Sequence, residues 1–281
     1  MKKIKLILFA SFTLVIFYSC KKTTTNTNTA STDVVAPLLV ENLIGSLNGS
    51  DGGLNINQGL NPPTGQLAIA NPGNKNSLNN PLSFFLNRKS ILNGRPVLAY
   101  GPYTCGLNVD TTIMYQSPAS DTLKITIGSH IKYMTQCNGN YATGLNLMDS
   151  LQLSAISPSY TLQLNNGSTL VLSLPTNSTQ QNSDFILNGK INLNYSLTVK
   201  TGKTGFVNCI CYFNFNNLDI SRQNAGILSG TTTFITSGKN GNGLSWNYSG
   251  TITYLPNNQA TLIINGISYL VDLSSGSVAK S

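Results

Sequence analysis

Charge is what this chain has least of. Charged residues make up 9% of its 281 positions, against roughly 25% in ordinary soluble proteins. There is one Glu (Glu41), one His (His130) and one Trp (Trp246). A single imidazole excludes a multi-histidine metal centre and leaves a nucleophilic triad only His130 as its base. That residue sits in Ile127-Gly-Ser-His-Ile-Lys-Tyr133 with no acidic neighbour in sequence, and reads as an exposed strand residue. No dense Lys/Arg patch interleaved with aromatics exists, which argues against nucleic acid. No Gly-rich phosphate loop follows a strand and opens a helix. Cys209-x-Cys211 lacks nearby His and is too little for zinc. Asn48 to Asn57 offers one carboxylate, Asp51, which makes a weak calcium loop. Asp110, Asp121, Asp149, Asp184, Asp219 and Asp272 are scattered, so a two-carboxylate glycosidase site would need folding to unite a pair. The expectation is therefore no catalytic residue, no metal and no cofactor.

Long apolar runs are also missing, apart from Leu6 to Tyr18. A helix of that length spans only ~20 Å at ~1.5 Å per residue, too short for a ~30 Å hydrocarbon core. Preceded by Lys2, Lys3 and Lys5 and followed by Ser19-Cys20, it reads as a signal peptide over residues 1–19. The arrangement resembles a bacterial lipoprotein signal, in which Cys20 becomes the lipidated first residue. Phe17 stands where such signals usually carry Leu, and an ordinary secretory signal with a chance Cys is the competing reading. Removing the signal takes Lys+Arg from 17 to 14 against 9 acids, so +8 becomes +5. Lys21 rather than Asp follows Cys20, which points to the outer membrane, on its periplasmic or its outer face. Lys21 and Lys22 stand where they can touch anionic headgroups.

What the chain has instead is Asn (36 residues), Ser and Thr, which suit turns and solvated strand faces. Residues 20–33 read as the lipidated Cys and a flexible Thr/Asn tether. Residues 34–81 read as a loop-rich segment with one short helix between Val34 and Ile44. Residues 82–281 read as the β domain. Asp121–Ile127 alternates cleanly. Asn166-Gly167 and Asn265-Gly266 each separate two strand patterns and predict two-residue hairpins. Leu187-Asn-Gly-Lys-Ile191, Leu228-Ser-Gly-Thr-Thr232 and Tyr248-Ser-Gly-Thr-Ile252 echo one another, with Gly placed for a bulge or strand bend. Gly205–Phe215 carries apolar residues on both parities and predicts a central strand covered on both sides. Leu244, Trp246, Tyr248, Ile252 and Tyr254 share one parity, which favours a core stripe; Trp246 and Tyr248 are also the candidate glycan contacts. The fold class is all-β: a single antiparallel meander, twisted, packed as a sandwich or curled towards a barrel.

Tyr103-Thr-Cys-Gly-Leu-Asn-Val-Asp-Thr-Thr-Ile113, Cys137, Trp246–Tyr254, Ala260–Gly266 and Tyr269–Gly276 occur in that order. In this the chain resembles a group of secreted lipoproteins common in Bacteroidetes, over roughly residues 100–278. The resemblance implies an all-β domain on a lipid tether and no catalytic residues. Asp110-Thr111-Thr112, Asp121-Thr122-Leu123 and Asp149-Ser150-Leu151 resemble the O-glycan acceptor triplet of the same bacteria, at Thr111, Thr122 and Ser150. With Cys20 taken by lipid, four cysteines remain. Cys209 and Cys211, two apart on one strand, lie ~6.5 Å apart, near the limit for a bridge. Cys105 and Cys137 flank turn elements and are the expected disulfide; the competing arrangement links both to Cys209 and Cys211. The expected role is that of a lipid-anchored, non-enzymatic envelope protein. Its membrane is held through the anchor, and carbohydrate or another envelope protein is the candidate ligand.

Overall fold

The computed structural model describes residues 28–47, 105–106, 108–118, 122–174, 184–201, 205–221 and 226–281, without the side chains of 109, 111, 113, 133 and 141. One helix, α1 (Thr32–Leu47), precedes eleven strands: β1 (Asn108–Gln116), β2 (Lys124–Asn138), β3 (Tyr141–Ile156), β4 (Tyr160–Ser173), β5 (Phe185–Val199), β6 (Gly205–Ser221), β7 (Gly226–Asn240), β8 (Ser245–Leu255), β9 (Gln259–Ile264), β10 (Ile267–Asp272) and β11 (Ser277–Lys280). They form one antiparallel sheet in sequence order, β1 through β11. Every strand pairs with its neighbours in the chain, which is the meander that the alternation and turn chemistry imply. Asn265 and Gly266 both adopt positive φ (49° and 80°) between β9 and β10, as a type I′ turn requires.

One face of the sheet is buried and the other is wet. Along β4 the pattern is buried at each even position from Tyr160 to Leu172. Against the inner face lies α1, which buries Val35, Ala36, Leu39, Val40, Leu43 and Leu47, each at most 3% exposed. Each fully buried Val or Leu side chain contributes about 1.5–3 kcal/mol. The carbonyl of Ser31 accepts from the amides of Val34 and Val35 at the helix start, and Asp33 lies in its first turn. An acid there is favoured by the helix dipole.

The contacts of this one helix place it against the later strands. Asn42 approaches Cys211 on β6, Nδ2 to Sγ at 3.7 Å. Tyr269 on β10 donates to Asp33 Oδ1 at 2.6 Å and lies 2.7 Å from Thr32 Oγ1. β6 and β10 are four spacings of ~4.8 Å apart, and Thr32 and Asn42 are ~15 Å apart along the helix axis, so α1 lies obliquely across these strands. The sheet is a single layer. It does not close, since no pairing joins β1 to β11 among the described residues. One unclosed antiparallel sheet in chain order is the all-β meander anticipated. Of its two edge strands, β11 has four residues and β1 has nine.

Four expectations need correction. Asn166-Gly167 makes no hairpin: β4 runs straight through it, and Asn166 is buried. β6 is covered on one side only, with Phe206 39% and Tyr212 47% exposed, because no second layer lies outside the sheet among the described residues. The helix is longer than Val34 to Ile44 and is part of the β domain's core. The tether is shorter than 20–33: Ala30 is buried, its amide donates to the Ser245 carbonyl at 2.8 Å, and the Ser245 amide donates to the Asn28 carbonyl. The boundary at 81/82 and the loop Asn48–Asn57 fall outside the described residues.

Candidate functional site

Three places bring chemistry-bearing side chains together. The first is internal. On β6, Cys209, Cys211, Phe213 and Phe215 face inward, as their shared parity predicts. The two sulfurs lie 3.5 Å apart as free, fully buried thiols. Thr236 Oγ1 on β7 sits 3.4 Å from Cys211 Sγ, and Trp246 Nε1 on β8 donates to that same hydroxyl at 3.2 Å. Asn42 of α1 closes the group from the other side. The neighbouring Cys209 and burial push the Cys211 thiol well above its ordinary value. Cys211 is thereby held as a neutral thiol, which makes it a poor nucleophile.

The second group is on the outer face of β1 and β2. Asp110 pairs directly opposite Lys132, with Thr112 opposite His130. Asp110 Oδ1 lies 2.7 Å from His130 Nε2, and Oδ2 lies 3.2 Å from Lys132 Nζ. The hydrogen bond from His130 first, and that from Lys132 second, hold the Asp110 carboxyl below the usual range. Across β3, Ser150 stands directly opposite His130. Asp110, His130 and Ser150 thus occupy three adjacent strands. Both Asp110 and His130 are about half exposed; β2 and β3 are paired on both sides, whereas among the described residues β1 is an edge strand bonded only to β2. An acyl-transfer site needs free N–H donors for the oxyanion. The acidic neighbour of His130 was invisible in sequence because it lies 20 positions away.

The third group is at the end of the sheet where β5 begins and β6 ends. Asp219 pairs with Ile186, two residues from Asp184. Burial, then the charge of Asp184, raises the Asp219 carboxyl above its ordinary value. Folding thus brings one pair of the scattered carboxylates within each other's field, on the outside of the sheet.

The remaining sequence candidates are placed as follows. Cys105 and Cys137 are joined in a disulfide, with Cα atoms 5.8 Å apart. Trp246 is 6% exposed with its indole N–H satisfied inside, so its ring is core and not a platform. Tyr248 is half-buried and its hydroxyl donates to the Ala30 carbonyl at 2.6 Å. Thr122 and Ser150 are exposed; Thr111 lies in β1 with its side chain outside what is described. Cys20 is also outside the described residues. Among the described residues no group of three or more His, Cys, Asp or Glu is arranged to hold a metal ion. No helix among them is long and apolar enough to cross a membrane. No family model, curated protein or solved structure matches the chain.

Proposed function

We propose that the protein is a non-enzymatic, lipid-anchored envelope protein of the outer membrane, with a structural or binding role. The observation that carries this is where the folded chain begins. Only Lys21 to Thr27, seven residues, separate Cys20 from Asn28, whose carbonyl is bonded into the start of β8. A lipid on Cys20 would hold one defined end of the domain at the bilayer surface. The Asp110–His130 pair supports a non-catalytic reading, because both side chains are about half exposed on the outer sheet face, where water is not excluded. Cys20→Ala should move the protein from the membrane to the soluble fraction, and a variant that stays with membranes overturns the anchor.

A glycan-binding role is the second reading, and one observation favours it. Tyr212 is 47% exposed on the outer face of β6, directly opposite Asn192 on β5. An aromatic face beside an amide suits a sugar ring better than the internal Trp246 does. Glycan-array binding lost on Tyr212→Ala and kept on Trp246→Phe would support it; no binding by the native protein would reject it.

A further inference from the structure

Among the described residues, the two ends of the sheet carry opposite charge. At the end where the chain enters, Lys124 opens β2, Lys200 follows β5 and Lys239 lies one residue before the end of β7, all three exposed. Lys239 stands directly opposite Ser245, the residue that binds Asn28. Lys200 Nζ donates to the Ser157 carbonyl at 3.3 Å, which ties the β5 exit to the β3–β4 turn at this same end. The last lysine there, Lys280, is paired with Asp33 at 3.4 Å and adds no net charge. At the opposite end stand Asp184 before β5, Asp219 near the end of β6 and Asp272 at the end of β10.

We propose that the lysine end is a membrane-facing surface, in which Lys124, Lys200 and Lys239 contact anionic lipid headgroups of the bilayer that holds Cys20. This rests on the lipid-anchor reading. Tether length brings the surface into range. Eight steps from Cys20 to Asn28 reach at most ~28 Å. The strands themselves are far longer: the 17 residues of β6 span ~55 Å. The tether is thus shorter than the domain, and Asn28 never leaves the neighbourhood of the headgroups. The domain can still pivot about Asn28, and charge then decides its pose. Lysines near an anionic surface each favour contact by about fivefold, and the three aspartates oppose the inverted pose. The result is an upright domain whose aspartate end points away from the membrane.

The test uses lipidated protein reconstituted into vesicles of phosphatidylcholine alone or mixed with phosphatidylglycerol. Lysine acetylation is followed by mass spectrometry, with exposed mid-sheet Lys190 as internal reference. On anionic vesicles Lys124, Lys200 and Lys239 should react about fivefold more slowly relative to Lys190. The protection should vanish on neutral vesicles, and in ~1 M salt, where the Debye length is ~3 Å. Flotation with both vesicles but an unchanged footprint sinks the membrane-facing surface alone. Flotation with neither removes the anchor, and both readings fall.

Discussion

Gly189→Ala is a severe test of how this sheet bends. Gly189 has φ 132°, a region that L side chains rarely enter, and sits where the β5–β6 register shifts after Leu187. A Cβ there would overlap the Thr169 carbonyl oxygen and lie 2.8 Å from Leu170 Cα on β4. Backbone strain of that kind costs about 1–3 kcal/mol. Forcing the strands apart adds about 1–3 kcal/mol more. A total near 4 kcal/mol is a large share of the ~5–15 kcal/mol that holds a domain together. At ~2–4 °C per kcal/mol, the melting temperature should fall by about 8–16 °C. Gly167→Ala on neighbouring β4 is the control: its added Cβ meets nothing within 4 Å and its φ is not positive. There alanine should be neutral or stabilising by about 0.5–1 kcal/mol. Urea unfolding followed through the fluorescence of buried Trp246 reads both variants. Equal shifts of the two midpoints would refute the account, since it requires opposite signs.

Removing the disulfide with Cys105→Ser and Cys137→Ser should cost about 3–4 kcal/mol for a loop of this length, read as a lower urea midpoint. Leu43→Ala, at 0% exposure between α1 and the sheet, should cost about 2–5 kcal/mol; a smaller loss would mean the helix is not part of the cooperative core. Asn42→Leu should be neutral or stabilising by about 1 kcal/mol, because Asn42 Oδ1 is buried without a hydrogen-bond partner and its amide reaches only sulfur; a clear loss in thermal melts would reveal a partner. Asp219 has a raised pKa, so the folded state favours its neutral form, and ionisation weakens the fold as pH rises through the carboxylate range. Asp219→Asn should therefore stabilise at pH 7 and change little near pH 3, by melting at both. Asp272 behaves oppositely: hydrogen bonds from the Ser274 and Ser275 side chains lower its carboxyl to about 2. Its contribution is present above the ordinary carboxylate pKa and fades as pH falls towards 2, so Asp272→Asn should lose stability at pH 7 and converge with the native chain in acid.

Much of the fold could be read from the sequence, and the misses are instructive. Both Asn-Gly pairs carry the same turn chemistry, yet only Asn265-Gly266 turns. The difference lies in parity. A two-residue loop at 265–266 sets Leu262 opposite Tyr269 and Ala260 opposite Val271, apolar against apolar on one face. The same loop at 166–167 would set Gln163 opposite Leu170 and Thr161 opposite Leu172, splitting the core residues between faces. A strand that runs through keeps Tyr160, Leu162, Leu164, Leu170 and Leu172 on one side. Burial of that row outweighs a local turn preference, even though it takes Asn166 inside. Parity also separates the glycines of the internal echo. Gly189 and Gly230 take positive φ beside register shifts, while Gly250 does not, and a Cβ there would also meet Phe234 Cζ at 2.7 Å. An added Cβ would overlap a neighbouring strand's carbonyl oxygen at all three, so close strand approach is common to the pattern and the positive φ belongs only to the first two. The outward chemistry was harder to read. Asp110 with His130, and Asp184 with Asp219, meet only through strand register, and register follows from the whole meander rather than from any window of sequence. The end-to-end charge arises in the same way. Lys124, Lys200 and Lys239 are scattered in sequence, and antiparallel reversal collects them at one end because each stands at or next to a strand terminus on the side where the chain enters. In a chain with so few charges, their position at strand ends carries information that their number does not.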